Sequence, residues 1–441
     1  MRTRPLSALR KAIARPAAPA ASLKPRTRTG AALAGVLVIG MAGSLAMHQA
    51  PLPAAASGGT CSPTITTTPF GTTIEPYTGK PAQVFQYTLT NCTGMQVKIL
   101  NYGGIVQSIA VPDRHGHAAD VVLGFQTLNE YVSQDSPPPP APGGPYFGET
   151  IGRYGNRIAK GTFTLDGNTY TLPINNNGNS LHGGFVGFGN HVWAPTVVQG
   201  NGTVGVQLKL VSPDGDDGAN VGCSCTGYPG TLTMFVTYTL DSSSQLRIHY
   251  TATVAGKATV LNPTNHSYFN LAGESSGDVY AQKVMINADS YTPTDKTQIP
   301  TGVIAPVKGT PFDFTTPQTI GSRINESDPQ LLIGQGYDHN WVLNRAGLQT
   351  GQLGLAARAW DPASGRELTV WTTEPGVQFY SGNFLTGSIV GISGHTYRQS
   401  AGYTFETQHY PDSPNHPNFP STVLRPGQQF DSTTIFRFST F

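Results

Sequence analysis

The chain has 441 residues, 27 Lys and Arg against 25 Asp and Glu, and a formal net charge of +2, with charged residues only 12% of the whole. That balance excludes the basic footprint of a nucleic-acid-binding protein. The 52 glycines and 35 prolines argue against long helices and for many short strands joined by turns.

In chain order, residues 1–30 carry Arg2, Arg4, Arg10, Lys11, Arg15, Lys24, Arg26 and Arg28 with no acidic residue, and "AALAGVLVIGMAGSLA" follows at 31–46. A basic stretch, an apolar stretch and then small residues at Ala54 and Ala56 read as an export signal over 1–56. The apolar run falls short of the roughly 20 residues a membrane-spanning helix needs. The expectation is a periplasmic or secreted chain starting near Ser57, or one held at a membrane by an uncleaved N-terminal anchor. Residues 57–82 read as an extension and 83–441 as one domain. Cys61, Cys92, Cys223 and Cys225 form an even set, which export would allow to pair, most simply Cys61 with Cys92.

From residue 83 on, alternating segments recur: "VFQYTLT", "MQVKILNYGGIVQSIAV", "GTLTMFVTYTLDSSSQLRIHYTATVAG" and the terminal "TIFRFSTF". Gly103-Gly104 predicts a bend, and Asp166-Gly167 a hairpin turn. "SQDSPPPPAPGGP" reads as a loop, and "TIGSRINESDPQLL" is the one helix-like candidate. Many short strands with few helices predict an all-β protein, a large β-sandwich or closed β architecture.

Polar residues gather with glycines at strand ends in five places. These are "IGRYGNRIAKG" with Arg153, Asn156 and Arg157; "NSLHGGFVGFGNHVW" with His182 and His191; "NPTNHSYFNLAG" with His266; "GQGYDHNWVL" with Asp338 and His339; and "FETQHYPDSPNHPNFPS" with Glu406, Gln408 and His409. Taken singly, each admits a plain structural role. Glu406 stands out because its strand is apolar-flanked, and a buried carboxylate needs a partner or a purpose. A carboxylate and an imidazole together move a proton off one site of a substrate and onto another. There is no His-Glu-x-x-His metal motif and no Gly-x-x-x-x-Gly-Lys-Ser/Thr loop to cradle a phosphate.

Read together, "YFGETIGRYGNRIAKGTF", "LHGG", "NPTNHSYFNLAG", "GYDHNWVL", "EPGVQFYSGN" and "FETQHYPDSPNHPNFPS" resemble, in this order, the signature segments of aldose 1-epimerases (galactose mutarotases). The resemblance runs from about residue 83 to 438. It implies a β-sandwich of the supersandwich type, a free monosaccharide as substrate and no cofactor or metal. It also implies that Glu406 is the base taking the anomeric hydroxyl proton and His266 the acid protonating the ring oxygen. His182 is implied as a second donor near that oxygen, and Asn156, Arg157, Asp338 and Gln378 as holders of sugar hydroxyls. The reaction would need Glu406 anionic and His266 protonated. The rivals are a non-catalytic carbohydrate-binding protein on the same fold, a glycoside hydrolase using Asp338 with Glu406, and a hexose-phosphate epimerase clamped by Arg153 and Arg157.

Overall fold

The computed structural model describes residues 61–135, 144–218 and 221–441. The expected export segment, residues 136–143 of the proline-rich loop and residues 219–220 of the cysteine-containing loop lie outside the described residues. From Thr60 to Phe441 the chain forms one compact unit.

Strand β1 (Thr64–Glu75) pairs antiparallel with β2 (Lys80–Thr90), from Thr64 opposite Thr90 to Glu75 opposite Lys80. Much of the expected extension is therefore a strand. Gln96–Leu100, Val106–Pro112 and Ala118–Asp120 complete a five-stranded sheet. The predicted Gly103-Gly104 bend separates two of them. Both glycines have left-handed φ, and a Cβ on Gly103 would stand 2.7 Å from the Gly189 carbonyl oxygen. Asp166-Gly167 turns the hairpin of Thr162–Leu165 and Asn168–Thr171 with φ of 50° and 77°, both positive as a type I′ turn requires.

A nine-stranded antiparallel sheet forms one wall of the sandwich, with Thr231–Asp241, Gln245–Ala255 and Gln429–Thr440 near its middle. Its alternation is plain in Thr231–Asp241, where Leu232, Met234, Val236, Tyr238 and Leu240 are buried and the threonines between them are half-buried. The opposing six-stranded sheet contains β3 (Tyr268–Phe269), β4 (Asp338–Val342), β5 (Gly376–Tyr380) and β6 (Tyr403–Gln408). They lie in the order β3-β6-β5-β4, followed by Ser290–Thr292 and Ala305–Pro306. Phe269 of this sheet meets Phe436 of the other edge-on, with ring centroids 5.1 Å apart, and Phe379 stacks on Phe405 at 5.5 Å. Such aromatic contacts add about 0.5–1.5 kcal/mol beyond the area they bury.

The helix-like candidate reduces to a tight turn at Ile320–Ser322 and a helix at Pro329–Gly334. Asp328 caps that helix by accepting the Gln330 N–H at 2.8 Å. No helix among the described residues is long and apolar enough to cross a membrane.

Candidate active site

Register across the six-stranded sheet assembles the floor of the site. Gln378 on β5 lies opposite both Glu406 on β6 and Asn340 on β4, and Tyr380 lies opposite both Thr404 and Asp338. Side chains alternate along a strand, so Glu406, Thr404, Gln378, Tyr380, Asp338 and Asn340 share one face. Tyr403, Phe405, Phe379, Val377 and Trp341 share the other face and belong to the sandwich core. All six residues of β6 are buried. The apolar half is covered by the core and the polar half by the walls of the cleft.

Loops bring the remaining groups. His266 sits between two short strands rather than within one: Thr264–Asn265 pairs with Thr150–Ile151, and Tyr268–Phe269 pairs with β6. Its N–H donates to the Glu149 carbonyl at 3.0 Å, and its own carbonyl accepts the Gly148 N–H at 3.1 Å. His182 follows Ser180–Leu181, which pairs with Arg157–Ile158. Its Nδ1 accepts the Asn156 N–H at 3.2 Å, which leaves the ring proton on Nε2. Next to it, a Cβ on Gly183 or Gly184 would collide with the Gly152 carbonyl or the Asp217 carboxylate. Tyr146, Asn156, His182 and Gln298 all line the cleft with φ between 51° and 64°. Non-glycine residues held there cost of order 1–3 kcal/mol each, and such strain gathers at functional sites.

The result is a cleft of about 570 Å³, walled by Tyr146, Asn156, Arg157, His182, His266, Gln298, Asp338, Tyr380, Phe384 and Glu406 among others. His266 Nε2 lies 3.4 Å from Glu406 Oε1, which also accepts the Thr404 hydroxyl at 2.9 Å. Glu406 Oε2 is buried with no protein partner. The rings of His182 and His266 meet edge-on at 5.0 Å. Arg157 donates to Gln298 at 2.7 Å, to Asn176 at 3.2 Å and to Asn156 at 3.3 Å. Gln298 in turn donates to Asp338 Oδ2 at 2.5 Å.

Burial sets the protonation of these groups. It pushes Glu406 up to about 8, helped by the nearby Asp338 charge and opposed by the Thr404 hydrogen bond and Arg157. It pushes His266 down to about 3, and His182 well below the ordinary imidazole value with the help of His266 and Arg157. Asp338 is raised by burial, with Arg157, Gln378 and Gln298 pulling the other way. Without a sugar these shifts favour a resting neutral pair, so the ionised Glu406 and protonated His266 that the reaction needs form a separate working state. Between about pH 3 and 8 the two groups hold one proton, and it rests on the carboxyl.

Of the expected site residues, Glu406, His266, His182, Asn156, Arg157 and Asp338 line one cleft. Gln378 does not. Its amide donates to Asp338 Oδ1 at 2.7 Å, so it steadies an acid of the cleft from the side. Each Asp338 oxygen thus accepts one amide bond and keeps a lone pair for a ligand hydroxyl. Arg153 is corrected as well. It is fully buried behind the site, donating to Ser212, Thr259 and the carbonyls of Pro213, Pro229 and Gly230, and is no phosphate clamp. His339 faces the core, 4.7 Å from the Phe312 ring, and His191 and His409 pair with Glu75 and Glu374. Gln298 and Tyr146 were missed. Gln298 sits in "DKTQIPTG", a loop whose composition carries no sign of a site. His182, His266 and Glu406 offer ligand atoms within 4.8 Å of one another, so a divalent metal held there would occupy the groups that move protons.

An acid, a base and a ring of hydrogen-bonding side chains on the polar face of one sandwich sheet make a proton-shuttling enzyme for a small polar molecule. The chain belongs to the aldose 1-epimerase family, whose profile matches residues 86–437. It is 46% identical to the galactose mutarotase of Rattus norvegicus over 345 residues, 78% of this chain and 91% of that one. It is 37% identical to the aldose 1-epimerase of Escherichia coli K12 over 362 residues, 82% of this chain and 96% of that one. The crystal structure of galactose 1-epimerase from Lactobacillus acidophilus superposes with a TM-score of 0.71 at 27% identity, covering 86% of this chain and 99% of that one.

Proposed function

We propose that the protein interconverts the α and β anomers of free aldoses, with Glu406 as base and His266 as acid. Glu406 takes the proton of the anomeric hydroxyl while His266 gives one to the ring oxygen, and the C1–O5 bond breaks. The open aldehyde rotates about C1–C2. The ring oxygen then attacks the other face, returning its proton to His266, while Glu406 returns its own to the new anomeric oxygen. No net proton is consumed, so one shared proton suffices. The working ionised pair differs from the resting neutral pair only by moving that proton across 3.4 Å. A sugar hydroxyl donating to the unpartnered Glu406 Oε2 favours the carboxylate form. His182 Nε2–H donates to the ring oxygen, and Arg157, Asn156 and Asp338 hold other hydroxyls.

The observation that carries this reading is the buried Glu406 with a free oxygen, 3.4 Å from His266, on the floor of a cleft sized for a small ligand. Polarimetry on freshly dissolved α-aldoses tests it: the expected result is faster mutarotation of at least one free hexose or pentose. Binding of these sugars without any acceleration overturns it in favour of a carbohydrate-binding protein.

We also propose that the chain is exported and that Cys61 and Cys92 are disulfide-bonded. The support is the basic, apolar and small-residue order of residues 1–56 and a Cα separation of 5.8 Å, inside the roughly 4.4–6.8 Å that a disulfide spans. Intact mass of secreted or periplasmic material, alkylated with and without reduction, is expected to show at least one bond. Four alkylated thiols before reduction would overturn it.

A further inference from the structure

His191, in the same stretch as His182, lies outside the cleft. It is fully buried, and its Nδ1 stands 2.7 Å from Glu75 Oε1. The other oxygen of Glu75 accepts the Val192 N–H at 2.8 Å, and the Tyr77 ring stacks on His191 with centroids 3.9 Å apart. Glu75 ends β1 and Tyr77 sits in the turn to β2, both ahead of residue 86, where the family profile begins.

The tip of this hairpin is also linked, through Asp216 and Asp217, to Phe185 and Val186 of the same segment. The Tyr77 hydroxyl donates to Asp216 Oδ2 at 2.6 Å. The adjacent Asp217 accepts the N–H groups of Phe185 and Val186 at 3.0–3.1 Å. Between these anchors Phe188 N–H donates to the Gly152 carbonyl at 3.0 Å. The chain from Phe185 to Val192, which follows His182, is thus held by Glu75 directly at His191 and Val192 and by Tyr77 through Asp216 and Asp217 at Phe185 and Val186. His182 needs such ties, because its backbone sits in the left-handed region at φ 51°. Burial would raise Glu75, but the hydrogen bond and charge of His191, with the N–H groups of Val192 and Tyr77, hold its carboxyl below the ordinary value. A carboxylate accepting charge-assisted bonds is a firmer anchor than a neutral acceptor.

We propose that Glu75 and Tyr77, at the tip of the N-terminal hairpin, are positioning residues for this reaction, holding the His182 segment so that its ring faces the reacting sugar. The inference rests on the reading of His182 as the donor beside the ring oxygen. Neither residue touches the cleft, so each acts only through His182.

A double-mutant cycle on the full chain tests this, with kcat and KM measured by polarimetry for Glu75→Ala, His182→Ala and the combination. Glu75→Ala is expected to lower kcat about tenfold, as small misplacements of a catalytic group do, with KM changed less than threefold. In the His182→Ala background the same change is expected to cost less than twofold. Glu75→Gln, which keeps one acceptor, is expected to recover most of the rate. Equal fold-losses in both backgrounds, or wild-type kcat in Glu75→Ala, overturn the inference. Should Glu75→Ala fail to fold, Tyr77→Phe carries the same cycle, because it keeps the stacked ring and loses only the bond to Asp216. Its loss of about threefold is expected to vanish without His182, and a loss that persists overturns the inference. A slow His182→Ala with an additive cycle sinks the positioning role alone. A His182→Ala at the wild-type rate sinks the assigned role of His182 and the inference with it.

Discussion

Two histidine–carboxylate pairs, each with a buried carboxyl but with His409 more exposed than His266, use the same residue types for opposite ends. His409 Nδ1 and Glu374 Oε2 are 2.6 Å apart, and Glu374 Oε1 also accepts the Ser432 hydroxyl. Burial alone would raise Glu374 and lower His409. Instead the charge and hydrogen bond of His409, with Ser432 and Arg345, hold Glu374 below its ordinary value, and Glu374 lifts His409 above its own. That pair is ionised. In the cleft, His266 and Glu406 stand 3.4 Å apart, Thr404 is the one hydroxyl donating to the carboxyl, and Asp338 repels its charge. There burial wins and the pair is neutral. The lesson is that a buried carboxylate keeps its charge when both of its oxygens have donors, as those of Glu374 do. One with an oxygen left without a donor keeps its proton available for chemistry.

The sharpest way to break the comparison is to disable each pair in turn. Glu406→Gln and His266→Asn are expected to lose about 10²–10⁴-fold in kcat each, with the double variant little slower than the worse single, since both groups act in one step. Wild-type interconversion of anomers by folded Glu406→Gln would remove the mechanism. Glu374→Gln should do the reverse. Removing one partner of a buried pair costs about 3–5 kcal/mol of stability, read by urea unfolding, while kcat stays within a few-fold of wild type.

The network around Arg157 offers a smaller effect. Arg157→Ala removes bonds to Asn156, Asn176 and Gln298, and a charged hydrogen bond is worth about 1.5–3 kcal/mol. A fall in kcat/KM of roughly 10–150-fold is expected. Gln298→Ala, which cuts the link from Arg157 to Asp338, should show a weaker form of the same defect. Unchanged kcat/KM in both would place sugar recognition elsewhere in the cleft.

The smallest signal is the pH profile, and its sign follows from the two pairs. The cleft pair holds one proton from about pH 3, where His266 would gain a second, to about pH 8, where Glu406 loses it. The profile of kcat/KM should therefore stay level through neutrality and fall above about pH 8. A basic limb near 6.5 would mean that the ionised pair, with an ordinary histidine, is the resting form. Stability should respond too. Glu406, raised in the fold, binds more protons there than in the unfolded chain, so its contribution falls as pH rises from about 4.5 to about 8. Glu374, lowered in the fold, contributes stability above its unfolded value that is lost as pH falls through its folded one. His409, raised, contributes below about 6.5 and loses that as pH climbs through its folded value. Chemical unfolding of Glu406→Gln and Glu374→Gln across pH 4–9 separates these slopes.

Much of this molecule was written locally. Alternation in Thr231–Asp241, the Asp166-Gly167 turn and the Gly103-Gly104 bend follow from side-chain period and backbone freedom, which need only neighbouring residues. Glu406 was legible because a carboxylate between Phe405 and Thr407 on an apolar strand is costly without a role. The six ordered segments that resemble the family carried the fold, the acid–base pair and most of the cleft. What the chain order could not supply was registry and surroundings. Asp338 and His339 are adjacent, yet pairing with β5 turns the first to the cleft and the second to the core. Gln378 shares a face with Glu406 but is drawn onto Asp338. Arg153 and Arg157 look alike in "GRYGNR", and only packing buries the first among carbonyls and opens the second to the cleft. The protonation of Glu406 and His266 is the clearest case. It depends on how much water the folded walls exclude and on which charges they bring near, and neither quantity exists until residues far apart in sequence have met.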